Sequence, residues 1–448
     1  MIRGPASLLR ASWGASLLVL GLAVLGWQPA WAQPATPYPI DTGHTRDFLQ
    51  SLGVNTHLEY TDGTYANYPR VIADLDFIGI HLLRDGTPAP GGGVPYANYI
   101  TALHAAALAG NHFDFIAGTG QPLSTTLSVI EAVEARDPGS VRAVEGPNEI
   151  NNAPPTYRGL HREIAARAFQ RDLYAAVHGA PSIAHARVYL YTGGVPLSAE
   201  RVMKMADAAN QHPYPVQSNQ PGQHIENAFA GMFGRGPYSK VITEIGYYSQ
   251  PANPAGGGVD ETVQAKGTLN LLLDAFAQGV ETTYLYQLLS AYPDVKTNAD
   301  TAFGLFRLDN TPRPAALALH ALTTILADTP RKSDAKPASA VLPRVVIKTL
   351  RGLPTIGHHL LLEKRPGVYD LVIWAEPAFW DNDEHRARLV PPTEVAVELG
   401  ATARTVRVFD PLVGLAAIAS QSATRLVTVG ITDHPVVVEI DFNKGAAG

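Results

Sequence analysis

Two glutamates stand out for what surrounds them. Glu149 lies in Val144-Glu145-Gly146-Pro147-Asn148-Glu149-Ile150-Asn151, just past an apolar run that a Gly-Pro pair cuts off. Glu244 lies in Lys240-Val241-Ile242-Thr243-Glu244-Ile245-Gly246, at the end of another such run. Cleaving a glycosidic bond takes two carboxyl groups flanking the anomeric carbon. One protonates the leaving oxygen; the other attacks the carbon or activates water. Two carboxyls that each end an apolar run meet that need if both runs are strands opening on the same face.

The pattern around them supplies such strands. From about residue 50 to 330 a short apolar run, a polar or Gly/Pro loop and a longer alanine-rich stretch of helical spacing recur. That alternation predicts parallel β/α units. Eight candidate strands follow: Gly53 to Asn55, Ile80 to Leu83, Phe113 to Ala117, Val141 to Val144, Arg187 to Tyr191, a short one before His212, Val241 to Thr243, and Thr283 to Tyr286. Their spacing averages roughly 33 residues, enough for a strand, a helix and two loops, and an eightfold barrel is the natural reading, with its site at the carboxyl ends of the strands. Periodicity alone leaves an open doubly wound sheet as the alternative. No GxGxxG or P-loop follows the first strand, and Gly91-Gly92-Gly93 and Gly256-Gly257-Gly258 read as loops at the barrel mouth.

Gly146-Pro147-Asn148-Glu149 and Thr243-Glu244-Ile245-Gly246 resemble the paired strand-four and strand-seven motifs of glycoside hydrolase clan A. Leu82-Leu83-Arg84-Asp85, His212-Pro213-Tyr214-Pro215 and Thr301-Ala302-Phe303-Gly304-Leu305-Phe306 fall in the matching order. The arrangement over most of residues 50 to 375 is most similar to family 39 and its relatives. The resemblance implies a retaining (β/α)8 enzyme in which Glu149 is the acid/base and Glu244 the nucleophile. It further implies that Asn148 bonds the hydroxyl next to the anomeric carbon, that Arg84 and Tyr214 hold Glu244 ionised, and that His212 faces the sugar. Such partners favour a charged carboxylate, whereas Glu149 would need a less polar setting to stay protonated. Many clan members carry a tryptophan after strand eight; this chain has Tyr284-Leu285-Tyr286-Gln287, with Tyr286 in its place. His57, ending strand one, is a further substrate-binding candidate.

Other residues read as support. Glu145, four residues before Glu149, is expected to lie deeper and to pair with a buried arginine. Tyr247 and Tyr248, just past Glu244, are subsite candidates. Asp381-Asn382-Asp383-Glu384 resembles half a calcium loop but lacks its spacing, so no metal and no cofactor is expected. Trp374 reads as core, and Trp380 as an exposed loop residue.

Beyond the helix starting at Pro314, the polar, proline-bearing Thr329 to Pro337 marks a boundary. The short β-branched runs after it (Val345 to Thr349, Leu360 to Leu362, Tyr369 to Trp374, Glu394 to Leu399, Thr405 to Phe409, Arg425 to Val429, Val436 to Ile440) predict an antiparallel β-sandwich. The expected domains are a leader at 1–32, a catalytic barrel at 33–335 and the sandwich at 336–448.

The leader expectation rests on Arg3 and Arg10, the apolar Leu17 to Leu25 and Ala30-Trp31-Ala32, the pattern of a signal peptide cut after Ala32. That predicts a periplasmic or extracellular protein with no membrane span in its mature form. Removing the leader takes two arginines and moves the net charge from −6 to −8, which disfavours nucleic acid as a partner. The 448 residues contain no cysteine, which excludes a thiolate metal site and a cysteine nucleophile. Stability must then come from core burial rather than disulfides. The partner to expect is a carbohydrate. Rival readings are a catalytically idle polysaccharide-binding barrel and a transglycosylase using the same residues.

Overall fold

The computed structural model describes residues 42–443 except 89, 92–94, 216–218, 232–237, 254–255, 294–296 and 329–344. The expected leader at 1–32 and the boundary segment at 329–337 lie outside the described residues.

Eight parallel strands close into a barrel: Leu52–Asn55, Leu82–Asp85, His112–Ile116, Val141–Glu145, Arg187–Tyr189, Ala208–Gln211, Ser239–Ile245 and Thr282–Leu285. Each pairs with the next in chain order, and the eighth pairs with the first, which rules out the open sheet. They are numbered below as barrel strands one to eight. The second runs two residues further than its apolar run, through Arg84 and Asp85, because inside a barrel charged side chains can continue a strand where they find partners.

The barrel interior is layered by the twofold period of a strand. Ala143, Tyr189, Ala208, Val241 and Tyr284, with Leu82 packed against them, form an apolar floor. The Tyr284 ring lies over Gly53, where a Cβ would meet it at 2.4 Å. Two positions further along, the same strands present Asn55, Arg84, Glu145, Asn210, Thr243 and Tyr286. The step from floor to polar layer is therefore built into the alternation, and it aims these side chains at the mouth.

The C-terminal strands Ile347–Arg351, Gly357–Arg365, Val368–Ala375, Thr393–Phe409, Ala419–Ile431 and Val436–Asp441 form one sheet folded over a common core of Leu361, Leu371, Ile373, Val397, Val406, Val429 and Val438. Two departures from expectation have simple causes. The runs 394–399 and 405–409 are one long strand, with a register shift between Glu398 and Ala403 that lets a single strand serve both halves of the fold. The sheet is also mixed, because Thr42–His44 adds to Gly357–Arg365 in parallel. Residues N-terminal to the barrel thus complete the C-terminal sheet, and a single cut near 335 does not separate the two units.

The two share an apolar seam. Twelve residues of the helix Glu261–Ala277 are buried, and Trp374, expected as core, is fully buried against this side of the barrel. Trp380, expected to be exposed, is 4 % exposed and packs in the same cluster. Among the described residues, no helix is long and apolar enough to cross a membrane.

Candidate active site

A cavity of about 540 Å³ opens at the carboxyl ends of the barrel strands. Glu149 and Glu244 both line it, together with Asn148, Arg84, Tyr214, His57 and Tyr286. The geometry follows from how each strand ends.

After barrel strand four the chain turns sharply at Gly146. A Cβ there would come within 1.8 Å of Gln170 Oε1, whose amide ties Tyr189 and Tyr191 of the neighbouring strand region, so only glycine lets the turn pass. Glu149 then adopts φ +41°, an uncommon backbone for a non-glycine residue, with its N–H donating to Thr192 Oγ1 at 2.9 Å. This places its side chain over the cavity, 27 % exposed.

Glu244 lies inside barrel strand seven and is 10 % exposed. Arg84 Nη1 donates to its Oε1 at 2.6 Å and the Tyr214 hydroxyl to its Oε2 at 2.9 Å. Burial acts most strongly on this carboxyl and would raise its pKa, but the charge of Arg84 and then that of His212 outweigh it, and the group is held below the usual glutamate range.

Arg84 is the hub. It is 2 % exposed, and its guanidinium also donates to Glu145 Oε1 (Nε, 2.8 Å, and Nη2), Asn55 Oδ1 (2.7 Å) and Asn148 Oδ1 (2.8 Å). Glu145 thus takes the structural place beneath the site, with Asn210 donating to its other oxygen at 3.2 Å. Since Arg84 occupies Asn148 Oδ1, the amide nitrogen of Asn148 is the group left to donate to a ligand hydroxyl.

His212 differs from the expectation. It does not line the cavity; 5 % exposed, it lies beneath the two glutamates, Nδ1 3.1 Å from Glu149 Oε1 and 3.6 Å from Glu244 Oε2, with Nε2 2.9 Å from Thr243 Oγ1. Glu149 differs as well. It does not sit in a setting that keeps it protonated: the hydrogen bond from His212 is the largest influence and, with that from Asn152 Nδ2 at 2.7 Å, lowers its pKa against the effect of burial. One oxygen of Glu149, one of Glu244 and a ring nitrogen of His212 all lie within 4.8 Å of one another.

His57 stacks on Tyr60 with ring centroids 4.5 Å apart and planes 4° from parallel, and burial lowers its pKa. Tyr286 packs edge-on to Phe303 at 5.3 Å and to His57 at 6.0 Å, making one wall. Of the two subsite candidates after Glu244, Tyr247 is 3 % exposed with its hydroxyl bonded to Asn219 O, while Tyr248 is the more open. Sequence reasoning missed Asn55 and Asp300. Asn55 ends barrel strand one as Glu149 follows strand four, so the strand-end rule that singled out the glutamates would have found it. Asp300 lies in a short 3-10 turn after strand eight, with no sequence signal to raise it.

No protein-family model matches the chain, and no curated protein matches it in sequence. Among solved structures it is similar to a family 39 glycoside hydrolase from the gut symbiont Bacteroides cellulosilyticus, with a TM-score of 0.57 and 13 % identity over 88 % of this chain and 82 % of that one. It is also similar to a monomeric beta-xylosidase from Caulobacter crescentus, with a TM-score of 0.54 and 12 % identity over 90 % and 97 %. A third is SrfJ from Salmonella typhimurium, at 0.51 and 9 % over 92 % and 95 %. At such identities the likeness is one of fold, and it covers the barrel and the C-terminal sheet together.

Proposed function

We propose that the protein is a retaining glycoside hydrolase, with Glu244 as nucleophile and Glu149 as acid/base. The observation that carries this is the pair of carboxylates in one cavity, of which Glu244 alone accepts hydrogen bonds from Arg84 and Tyr214. One oxygen of each lies within 4.8 Å of one of the other, a close approach of the kind the ~5–5.5 Å carboxyl spacing of retaining enzymes calls for. The fold of the barrel-and-sandwich neighbours, among them a beta-xylosidase, supports O-glycoside cleavage as the reaction class.

In the first step the Glu244 oxygen attacks the anomeric carbon while Glu149 passes its proton to the departing oxygen. Water then attacks the glycosyl–enzyme ester, Glu149 takes a proton from it, and Glu244 leaves with its electron pair. The Asn148 amide bonds the neighbouring hydroxyl, Tyr286 and His57 line the sugar, and Arg84 and Tyr214 keep the nucleophile charged between turnovers. His212 supports both carboxylates from below. The leader at 1–32 directs this activity to a carbohydrate outside the cytoplasm.

The test is trapping. A 2-deoxy-2-fluoro glycoside with a good leaving group should label Glu244, found by peptide mapping, and the hydrolysis product should keep its anomeric configuration by NMR. Label on another residue, or inverted product, overturns the assignment. Protein that binds glycans but releases no reducing ends from a broad panel would be the idle binding barrel, and transfer to sugar acceptors in place of water would make it a transglycosylase.

A further inference from the structure

A second cluster of ionisable groups lies outside the lining of the cavity, at the seam of barrel and sheet. Asp274 comes from the helix Glu261–Ala277, His358 from the strand Gly357–Arg365, and Glu376 directly follows the strand Val368–Ala375. One oxygen of each acid and a ring nitrogen of the histidine lie within 4.8 Å of one another.

Each of the three is fixed from behind. Trp374 Nε1 donates to Asp274 Oδ1 at 2.9 Å, and the backbone N–H of Gly222 donates to Glu376 Oε1 at 3.0 Å. A Cβ at residue 222 would meet Glu376 Oε2 at 2.4 Å, so glycine there admits the carboxylate. The His358 ring stacks on Trp374, its cross-strand partner, with centroids 5.3 Å apart. What remains turned inward is Glu376 Oε2, 3.3 Å from His358 Nε2, and Asp274 Oδ2, which is buried and has no donor beside it, only the Glu376 carboxyl. Asp274 as a whole is 2 % exposed.

Two carboxylates facing each other in a buried seam require something positive between them. We propose that Asp274, His358 and Glu376 bind one zinc ion, which clamps the barrel to the C-terminal sheet. Two ligands at ~2.1 Å on a tetrahedral ion stand about 3.4 Å apart, close to the 3.3 Å between His358 Nε2 and Glu376 Oε2, and all three ligand atoms lie within 4.8 Å of one another. One imidazole and two carboxylates suit zinc, whereas calcium calls for six to eight oxygens. The donors to Asp274 Oδ1 and Glu376 Oε1 and the stacked ring are the outer-shell supports such a site uses. The His358 side chain is 41 % exposed, which gives the ion a path in and a water its fourth position. The rival occupant is a single proton shared between Asp274 and Glu376. Sequence gave no hint of the cluster, because its members are 84 and 18 residues apart and belong to different layers.

Tag-free protein, dialysed against a chelator, would be titrated with zinc chloride by calorimetry, with thermal unfolding followed with and without the metal. Wild type should take up one zinc per chain and unfold at a higher temperature with it. His358→Gln and Glu376→Gln should lose at least tenfold in affinity, and their unfolding should no longer respond to zinc. Anomalous diffraction at the zinc edge from wild-type crystals locates the ion without any variant; a peak between the three side chains is expected. No uptake by wild type leaves the shared proton as the occupant and overturns the proposal. So does a peak at Glu149, His212 and Glu244, or uptake that survives His358→Gln and vanishes in Glu149→Gln.

Discussion

Tyr214→Phe isolates one contact in the proposed mechanism. It removes the hydroxyl that donates to Glu244 Oε2 at 2.9 Å and keeps the ring, which packs edge-on to Phe303 at 5.5 Å. A hydrogen bond to a charged group is worth about 1.5–3 kcal/mol. At about 1.4 kcal/mol per tenfold in rate, kcat/KM should fall by roughly 10- to 150-fold if that bond is realised when Glu244 attacks. The pH profile is the sharper readout. The lost donor favoured the charged carboxylate, so the Glu244 pKa rises; Glu244 must be ionised to attack, so the acidic limb of kcat/KM moves to higher pH. The assay is initial-rate hydrolysis of an aryl glycoside across pH, with circular dichroism confirming the fold. An acidic limb that stays in place, or a loss below about twofold, would refute the assignment of Glu244 as the group Tyr214 keeps charged.

Asn152→Ala removes the donor to Glu149 Oε2; the Glu149 pKa rises, and because the acid must be protonated, the alkaline limb moves up while the acidic limb holds, as measured by the same profile. Glu149→Gln should cost about 10²–10⁴-fold on a glycoside with a poor leaving group and far less on a dinitrophenyl glycoside, whose departure needs no proton; equal losses on both would remove Glu149 from the acid role. Gly146→Ala forces a Cβ into Gln170 and should destabilise by about 1–3 kcal/mol in denaturant unfolding. Asp114, fully buried in barrel strand three with neither oxygen hydrogen-bonded, has its pKa pushed well up, by burial first and by Glu145 second. A raised carboxyl stabilises most below its unfolded pKa, and that stability is lost as pH rises toward the folded value; Asp114→Asn should therefore raise the melting temperature more at pH 8 than at pH 4.

What could be read in the sequence was whatever obeys a short period. The eight strands and the strand-end glutamates follow from apolar runs a few residues long, and the parallel order follows from alternation with helical stretches. The protonation of Glu149 could not be read, because His212 is 63 residues away and reaches it only when barrel strands four and six are two places apart in a closed barrel. The merging of residues 394–399 and 405–409 escaped for a related reason: a register shift leaves two clean twofold patterns out of phase, which look like two strands. The burial of Trp380 has no local signal, because its neighbours Asp381 to Glu384 are polar. Its ring turns back against the seam, which no local pattern reports.

The division of labour between two identical side chains rests on which of them can change its surroundings. Glu244 is held in strand seven by an arginine that is itself pinned by Glu145, Asn55 and Asn148, so its charge is set by partners that a ligand does not displace. Sharing Arg84 with Glu145 also matters chemically. Nε and Nη2 serve Glu145 and one nitrogen serves Glu244, which leaves the proposed nucleophile more of its charge than a two-pronged pairing would. Glu149 sits beyond the strand end, 27 % exposed, with one oxygen bonded to the exposed Asn152. A sugar entering the cavity strips water from that carboxyl, and the desolvation that already opposes its low pKa then grows. The site as it stands favours two charged carboxylates; in the proposed mechanism it is the substrate that tips Glu149 alone toward the proton it must give away.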